Sequence, residues 1–318
     1  MVHPLIRLAA CLASFAFALA ARAQAPLDPV EPAERDGVIE SLTRTLESSY
    51  VFPEVASRMA EDLRARARTG GYDMTDAREL GRALTRDLQA VSRDKHLRVF
   101  PGGAQSRPTP RPVPGEHGLG RREVLPGNIG YVEVLSFMGR GAGADEAIAA
   151  AMQAVARADA LIIDLRANGG GSPVTVASLS SYLFERRTHL NSLHWREGGR
   201  VEEFWTRDDV TGVRFGAAKP VFVLTSRRTF SGAEEFAYNL KNLKRATIVG
   251  ERTGGGAHPG AVRMLNERFA MFVPTGRAVS PVTGTNWEGT GVEPDVQVPA
   301  DEALERALAL ARGALRAS

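Results

Sequence analysis

The sequence predicts an α/β protein: a core of parallel strand–helix–strand units with a small three-helix domain ahead of it. Two observations carry this. Apolar, β-rich runs at residues 161–165 and 221–224 each end in a turn followed by apolar residues at helical spacing, and 129–135 and 247–249 repeat the strand pattern around a helix near 144–158. Ahead of them, apolar residues recur three and four apart in three stretches: Ile39, Leu42, Leu46 and Tyr50; Val55, Met59, Leu63 and Ala67; Leu80, Leu84, Leu88 and Val91.

Residues 1–23 read as a signal peptide, with Arg7, the apolar run 8–20 and Ala21-Arg22-Ala23 as a small-residue cleavage site. That run is short for a bilayer span and no other compares with it, so the expected product is exported, periplasmic or secreted, without an integral span after the leader is removed. Leu8-Ala9-Ala10-Cys11 mimics a lipoprotein cleavage box, but almost no apolar region precedes it. Cys11 is the only cysteine and would leave with the leader, which excludes a disulfide framework, a thiolate metal site and a cysteine nucleophile. A chain of 318 residues, 43% of them hydrophobic, can bury a core without such staples. Losing Arg7 and Arg22 lowers the formal charge from +3 to +1, which argues against a nucleic-acid partner.

Residues 24–35 are Pro-rich and predict an extended lead-in; 36–100 hold the helical domain. Pro53 suits a first helical turn, Gly70-Gly71 a stop, and Asp76 with Glu79 a capping box. Residues 101–120 are too rich in Pro and Gly for regular structure and predict a linker. The core then spans 121–300, and a C-terminal helix 301–318.

Three stretches carry candidate chemistry. Ser231 follows the 221–224 strand at the start of a helix marked by Ala233, Phe236, Ala237 and Leu240. There it serves either as an ordinary N-cap, whose oxygen accepts an orphan N–H, or as a nucleophile. The 161–165 strand ends in Asn168-Gly169-Gly170-Gly171, glycines that let backbone N–H groups approach a ligand; no Walker-type or complete dinucleotide fingerprint accompanies them. Ser92-Arg93-Asp94-Lys95-His96 closes the third helix and supplies a histidine.

Asp164-Leu165-Arg166 with Asn168-Gly169-Gly170-Gly171, Ser231-Gly232-Ala233-Glu234, Gly250-Glu251-Arg252-Thr253 and Gly291-Val292-Glu293-Pro294-Asp295 together resemble the tail-specific (carboxyl-terminal processing) serine protease family. The likeness covers about 130–298. Tyr50-Val51-Phe52-Pro53-Glu54 and Asp94-Lys95-His96-Leu97 resemble the helical part of its branch related to interphotoreceptor retinoid-binding protein and the tricorn protease core. It implies a Clp protease/crotonase-like α/β core and cleavage of a peptide or protein substrate through an acyl-enzyme on Ser231. A PDZ module, common in the family, has no room in the roughly thirty residues between His96 and the 129 strand.

Many family members use a lysine as base. The matching position here is Gly256, so the resemblance implies another base, and His96 matches the histidine of the tricorn-like branch. A histidine titrates near neutrality and can take the serine proton and return it to a leaving amine. Glu288 matches the glutamate of that catalytic set; the serine that precedes the histidine there is Lys95 here, leaving a water, Asp94 or Ser92 to intervene. The N–H groups of Gly232 and of Gly169 or Gly170 would face the developing oxyanion. His258, near the missing lysine, is an alternative base or a substrate contact. His117, His189 and His194 read as surface residues, Asp164 and Arg166 as supports of the glycine turn, and Phe230 and Trp287 as core packing or pocket lining. Nothing has metal-ligand spacing, and no cofactor is expected. Two other functions use the same fold or chemistry: a catalytically weak or inactive binding protein for an apolar, retinoid- or fatty-acid-like ligand, and a small-ester or lactam hydrolase.

Overall fold

The computed structural model describes residues 29–102, 117–137 and 141–317. The leader, residues 24–28 of the lead-in and the middle of the Pro/Gly stretch lie outside them; the end of the lead-in, predicted extended, already belongs to the first helix from Pro32. Three helices come first: α1 (Pro32–Ser49), α2 (Pro53–Arg68) and α3 (Ala77–Ser92). Proline occupies the first turn of α1 and α2, where its missing N–H costs nothing. Asp76 caps α3 by accepting the Glu79 N–H at 2.7 Å, and Arg93, in the left-handed region at φ 60°, ends it.

The chain then enters β1 (Arg98–Pro101), and β2 (Leu119–Leu125) follows, so both ends of the predicted linker are strand. The central sheet continues with β3 (Ile129–Val134), α4 (Ala142–Val155), β4 (Ala160–Asp164) and α5 (Pro173–Ser180). A hairpin, β5 (His189–Trp195) and β6 (Val201–Trp205), precedes β7 (Val221–Thr225), α6 (Gly232–Asn242) and β8 (Thr247–Gly250). Then come β9 (Gly260–Met264), β10 (Phe269–Pro274), β11 (Gly276–Val279), β12 (Val296–Gln297) and α7 (Ala303–Ala317).

Six strands form the sheet β12-β8-β7-β4-β3-β2, parallel except for the β2–β3 hairpin. Its inner strands β3, β4, β7 and β8 are buried on both faces, as parallel strands under helices must be, while the edge strand β2 is largely open. Leu161 and Ile163 point into one cluster with Ala233, Phe236 and Ala237 of α6, whereas Ile162, Phe222 and Leu224 meet Ala303, Ala307 and Ala311 of α7 on the other side. Two three-stranded antiparallel sheets, β1-β10-β9 and β11-β5-β6, flank it.

The three helices bury their apolar stripes on one of these small sheets. Leu42, Leu46, Leu84 and Leu88 share a cluster with Phe269, Met271 and Val273 of β10, so the helical part and the C-terminal half of the chain have one core between them. This joint fixes the segment between α3 and β1, where His96 lies.

α6 also carries a buried carboxyl beside Asn191. Glu235 is buried with Oε1 unpartnered, and burial pushes its pKa up to about 8 from 4.5. A raised folded value means stability that is complete below pH 4.5 and lost as pH climbs towards 8. Glu235→Gln should therefore raise the stability by roughly 2–4 kcal/mol at alkaline pH and by little at acid pH. Denaturant melts across that range check this, and a gain independent of pH refutes it.

Candidate active site

Ser231 stands where β7 turns into α6, at φ 54° and ψ −123°, a conformation that costs a non-glycine residue on the order of 1–3 kcal/mol. Glu234, one turn into the helix, holds it there. Its fully buried carboxylate accepts the Ser231 N–H at 2.8 Å, the Gly255 N–H at 2.6 Å, the Gly256 N–H at 2.8 Å and the Thr253 hydroxyl at 2.5 Å. Sequence reading missed this role, although Ser231 and Glu234 carry the S-x-x-E spacing that signals it. Ser231 is thus an N-cap residue by position, and its hydroxyl also faces His96.

The glycine turn after β4 lies against Ser231. Asp164 and Arg166 support it from below through a 2.6 Å ion pair, with the Tyr131 hydroxyl donating to Asp164 at 2.7 Å. Asn168 is buried and holds the turn to both neighbours: Nδ2 donates to Val134 O at 2.9 Å and its carbonyl accepts from Phe230 N at 3.1 Å. Gly170 has φ +108°, and a Cβ there would lie 2.7 Å from that of Ser231. Its N–H, expected to face an oxyanion, instead donates to Asn168 Oδ1 at 2.8 Å, because the Asn168 amide folds back over the turn. Gly169 is exposed. Gly171 is the glycine with a free donor beside the serine. It bridges Phe137 in parallel register through the Gly170 carbonyl and the Ser172 N–H, which turns its own N–H the other way. A Cβ built on Gly232 would lie 3.0 Å from Gly171 N, and among the described residues neither glycine's N–H has a protein acceptor.

His96 brings Nε2 to 3.2 Å from Ser231 Oγ across 135 residues of chain. Its ring lies between Phe230 and Phe272, at centroid distances of 4.7 and 5.8 Å. Gln89 Nε2 donates to the Lys95 and Leu97 carbonyls, and Lys95 Nζ reaches Gly254 O at 2.5 Å, so the residue before the histidine anchors its loop to the core. Burial holds the imidazole down at about 4; Asp94 pulls upward, while His258 and Arg98 push further down.

The acids fall differently from expectation. Asp94, buried, is the carboxylate beside His96: Oδ1 accepts the His96 backbone N–H at 3.0 Å and lies 3.8 Å from Nδ1, which has no hydrogen-bond partner. Ser92 Oγ donates to Leu88 O at 2.8 Å and accepts the Asp94 N–H at 3.1 Å, and makes no bond to the His96 ring. Glu288 is set further back, with Oε2 accepting the Ala257 N–H at 2.5 Å and lying 3.5 Å from His258 Nδ1. Burial and the Asp94 charge push Glu288 up to about 7. His258 faces Asp94, with Nδ1 2.7 Å from Oδ2, rather than the serine. Asp94, His258 and Glu288 each offer a ligand-type atom within 4.8 Å of one another, the one such group among the described residues; the His258–Asp94 bond engages two of these atoms. Trp287 packs on Tyr238 and donates to Gly256 O at 2.7 Å, a structural role.

Gly256, at the position of the absent lysine, explains why a side chain is missing there. A Cβ would lie 2.7 Å from His96 Cε1 and strike the Phe230 ring. The histidine fills that space.

Residues 128–298 match peptidase family S41, and residues 33–117 match the N-terminal domain of peptidase S41 in eukaryotic IRBP. The chain is 30% identical over 175 residues to the chloroplastic C-terminal processing peptidase of Tetradesmus obliquus, which is 54% of this chain and 35% of that protein. It is 28% identical over 176 residues to the carboxy-terminal-processing protease of Bartonella bacilliformis, 54% and 39% of the two chains. It thus spans less than half the length of these relatives. Among solved structures, a Parabacteroides merdae protein aligns at a TM-score of 0.64 and 20% identity, over 87% of this chain and 96% of that one. The photosystem II D1 C-terminal processing protease aligns at 0.56 and 18%, over 87% and 97%. The tricorn protease aligns at 0.59 and 12%, over 89% and 37%. At these identities the likeness is one of fold.

Replacing Gly256 by alanine should push the His96 ring off Ser231 while leaving the fold intact. The expected result is a rate of Ser231 reaction with a fluorophosphonate at least about tenfold lower. An unchanged rate in folded Gly256→Ala refutes it.

Proposed function

The chain belongs to peptidase family S41, and on that footing we propose that it is a serine-type peptidase cleaving peptide bonds of protein or peptide substrates through an acyl-enzyme on Ser231. The approach of His96 Nε2 to Ser231 Oγ, 3.2 Å, carries this reading. A serine hydroxyl attacks only as a base removes its proton, and a neutral imidazole at this distance is such a base.

As Oγ bonds to the scissile carbonyl carbon, its proton passes to Nε2. The carbonyl oxygen, now an oxyanion, takes the N–H groups of Gly232 and Gly171, the latter in place of Gly170. When the C–N bond breaks, His96 returns the proton to the departing amine. Water then attacks the acyl ester, again giving a proton to Nε2, and the acid leaves as the Ser231 hydroxyl is restored. Asp94 stabilises the imidazolium formed in each half, its Oδ1 closing on Nδ1 from 3.8 Å as that ring becomes charged. The relatives' names point to processing near carboxyl termini as the substrate class.

Fluorophosphonate labelling of the mature protein tests the assignment. Labelling should be lost in Ser231→Ala and reduced by about a thousandfold or more in His96→Ala. Because burial keeps His96 neutral down to about 4, the wild-type rate should hold between pH 7 and 5 and fall only near that value, below the ordinary 6.5. Folded wild-type protein that does not label overturns the proposal.

The leader pattern at residues 1–23 supports an exported enzyme, periplasmic or secreted. Mass spectrometry of the protein expressed with its leader should find a mature N-terminus beginning just after Ala23; an uncleaved chain retained in the cytoplasm refutes this.

A further inference from the structure

We infer that His258 is a positioning residue for the Ser231–His96 pair: its Nδ1 fixes the Asp94 carboxylate so that one oxygen stays on His96. The inference rests on the peptidase reading above. It follows from how the two oxygens of Asp94 are divided. Oδ1 accepts the His96 backbone N–H and lies 3.8 Å from the unpartnered Nδ1. Oδ2 takes His258 Nδ1 at 2.7 Å and the Tyr50 hydroxyl at 3.2 Å. Two donors on Oδ2 set the rotation of the carboxylate, and that rotation aims Oδ1.

His258 is itself held for this task. Its ring is 5% exposed and meets Phe52 edge to face at 5.4 Å, so it is closed to substrate and solvent. It follows Gly256, which makes room for the His96 ring, and Ala257, whose N–H holds Glu288. Three successive residues thus serve the base.

Charge requires a donor at this point. Asp94 and Glu288 are two carboxylates in one buried site, both within 3.5 Å of His258 Nδ1. Without that N–H, like charges face each other and Asp94 turns away or takes up a proton. The other titratable groups bearing on the cluster are the Tyr50 hydroxyl, raised by burial and by Asp94, with Glu54 beyond it; Glu234 behind Glu288; and Arg98 towards His96. None of these replaces a donor between the two carboxylates.

The test uses the mature chain with His258→Ala, His258→Asn and, as control, Ser231→Ala. Asparagine can put an amide nitrogen close to the place of Nδ1. Two readouts are taken: fluorophosphonate inactivation kinetics across pH, and NMR titration of the His96 ring in isotope-labelled protein, which needs no activity. His258→Ala should slow inactivation at saturating probe by about ten- to a hundredfold, leave the half-saturating concentration within about twofold, and lower the His96 midpoint by about half a unit or more as the upward pull of the Asp94 carboxylate is lost. His258→Asn should recover at least about a third of the rate.

A folded His258→Ala protein whose His96 midpoint and rate match wild type overturns the inference. So does His258→Asn that is no faster than His258→Ala, or a loss confined to the half-saturating concentration. If wild type does not label while Ser231→Ala is equally silent, the peptidase reading fails, and the NMR arm still decides: an unmoved midpoint removes the positioning role. Should His258→Ala not fold, His258→Gln, whose amide reaches past the place of Nδ1, is compared with His258→Asn in its stead.

Discussion

The site depends on one buried carboxylate, that of Glu234. Four donors converge on it, from Ser231, Thr253, Gly255 and Gly256, and it is fully enclosed. A charge in such a place is tolerable only with its lone pairs filled, so the four groups are held as a set. Removing any one donor leaves the others bonded to a less satisfied buried charge. This makes the strand-to-helix turn at Ser231 and the extended segment 253–256 one rigid body, and it supplies the stabilisation against which the positive φ of Ser231 persists. The Ser231 hydroxyl then has a fixed direction before any substrate arrives.

What this body faces is delivered from far away in the chain. The loop after α3 carries His96, and its place is set from three sides: Gln89 within the helix, Lys95 onto Gly254, and β1 paired with β10. β10 in turn belongs to the core of the three helices. Arg196, between β5 and β6, adds hydrogen bonds to the carbonyls of Glu47 and Tyr50. The helical part is therefore no appendage that visits the site; its apolar core is continuous with the strand beside the histidine. A side chain held by such packing has lost its rotational freedom during folding, so the ring is already ordered beside Ser231.

The central strands, the helices that follow them and the three N-terminal helices were legible in the sequence because each obeys a single period over its length. The two small antiparallel sheets were not. Each joins a hairpin, β5–β6 or β9–β10, to a strand from far along the chain, β11 or β1, and pieces such as Gly260–Met264 are half-exposed, so their existence is decided by tertiary contacts. In the site, Ser231 and His96 were picked out by residue type and motif and are neighbours in space. The choice among backbone donors was invisible, since Gly169, Gly170 and Gly171 differ only in where their N–H groups point, and Asn168 decides that. For the acid, sequence offered Glu288 by correspondence, with a water, Asp94 or Ser92 to intervene; reaching Nδ1 is a matter of distance, and Asp94, two residues from His96, lies 3.8 Å from it.

In the proposed mechanism the exchange of lysine for histidine as base follows a physical logic. Position 256 can hold a side chain or the space can hold the His96 ring, but not both, as the overlap with Cε1 and Phe230 requires. Burial disfavours the charged form of either base. A lysine starts near 10.4 and must fall by about three units before it is half neutral at pH 7, whereas an imidazole starts near 6.5 and is already neutral. The enclosed setting therefore does a histidine no service in freeing its lone pair; it carries His96 down to about 4 and weakens it as a proton acceptor. An acid close to the ring counters that loss, because its attraction grows as the ring charges and is felt most in the transition state. A deep histidine base thus needs a nearby, well-held carboxylate more than a deep lysine does, and the buried Asp94, gripped on both oxygens, is such a group.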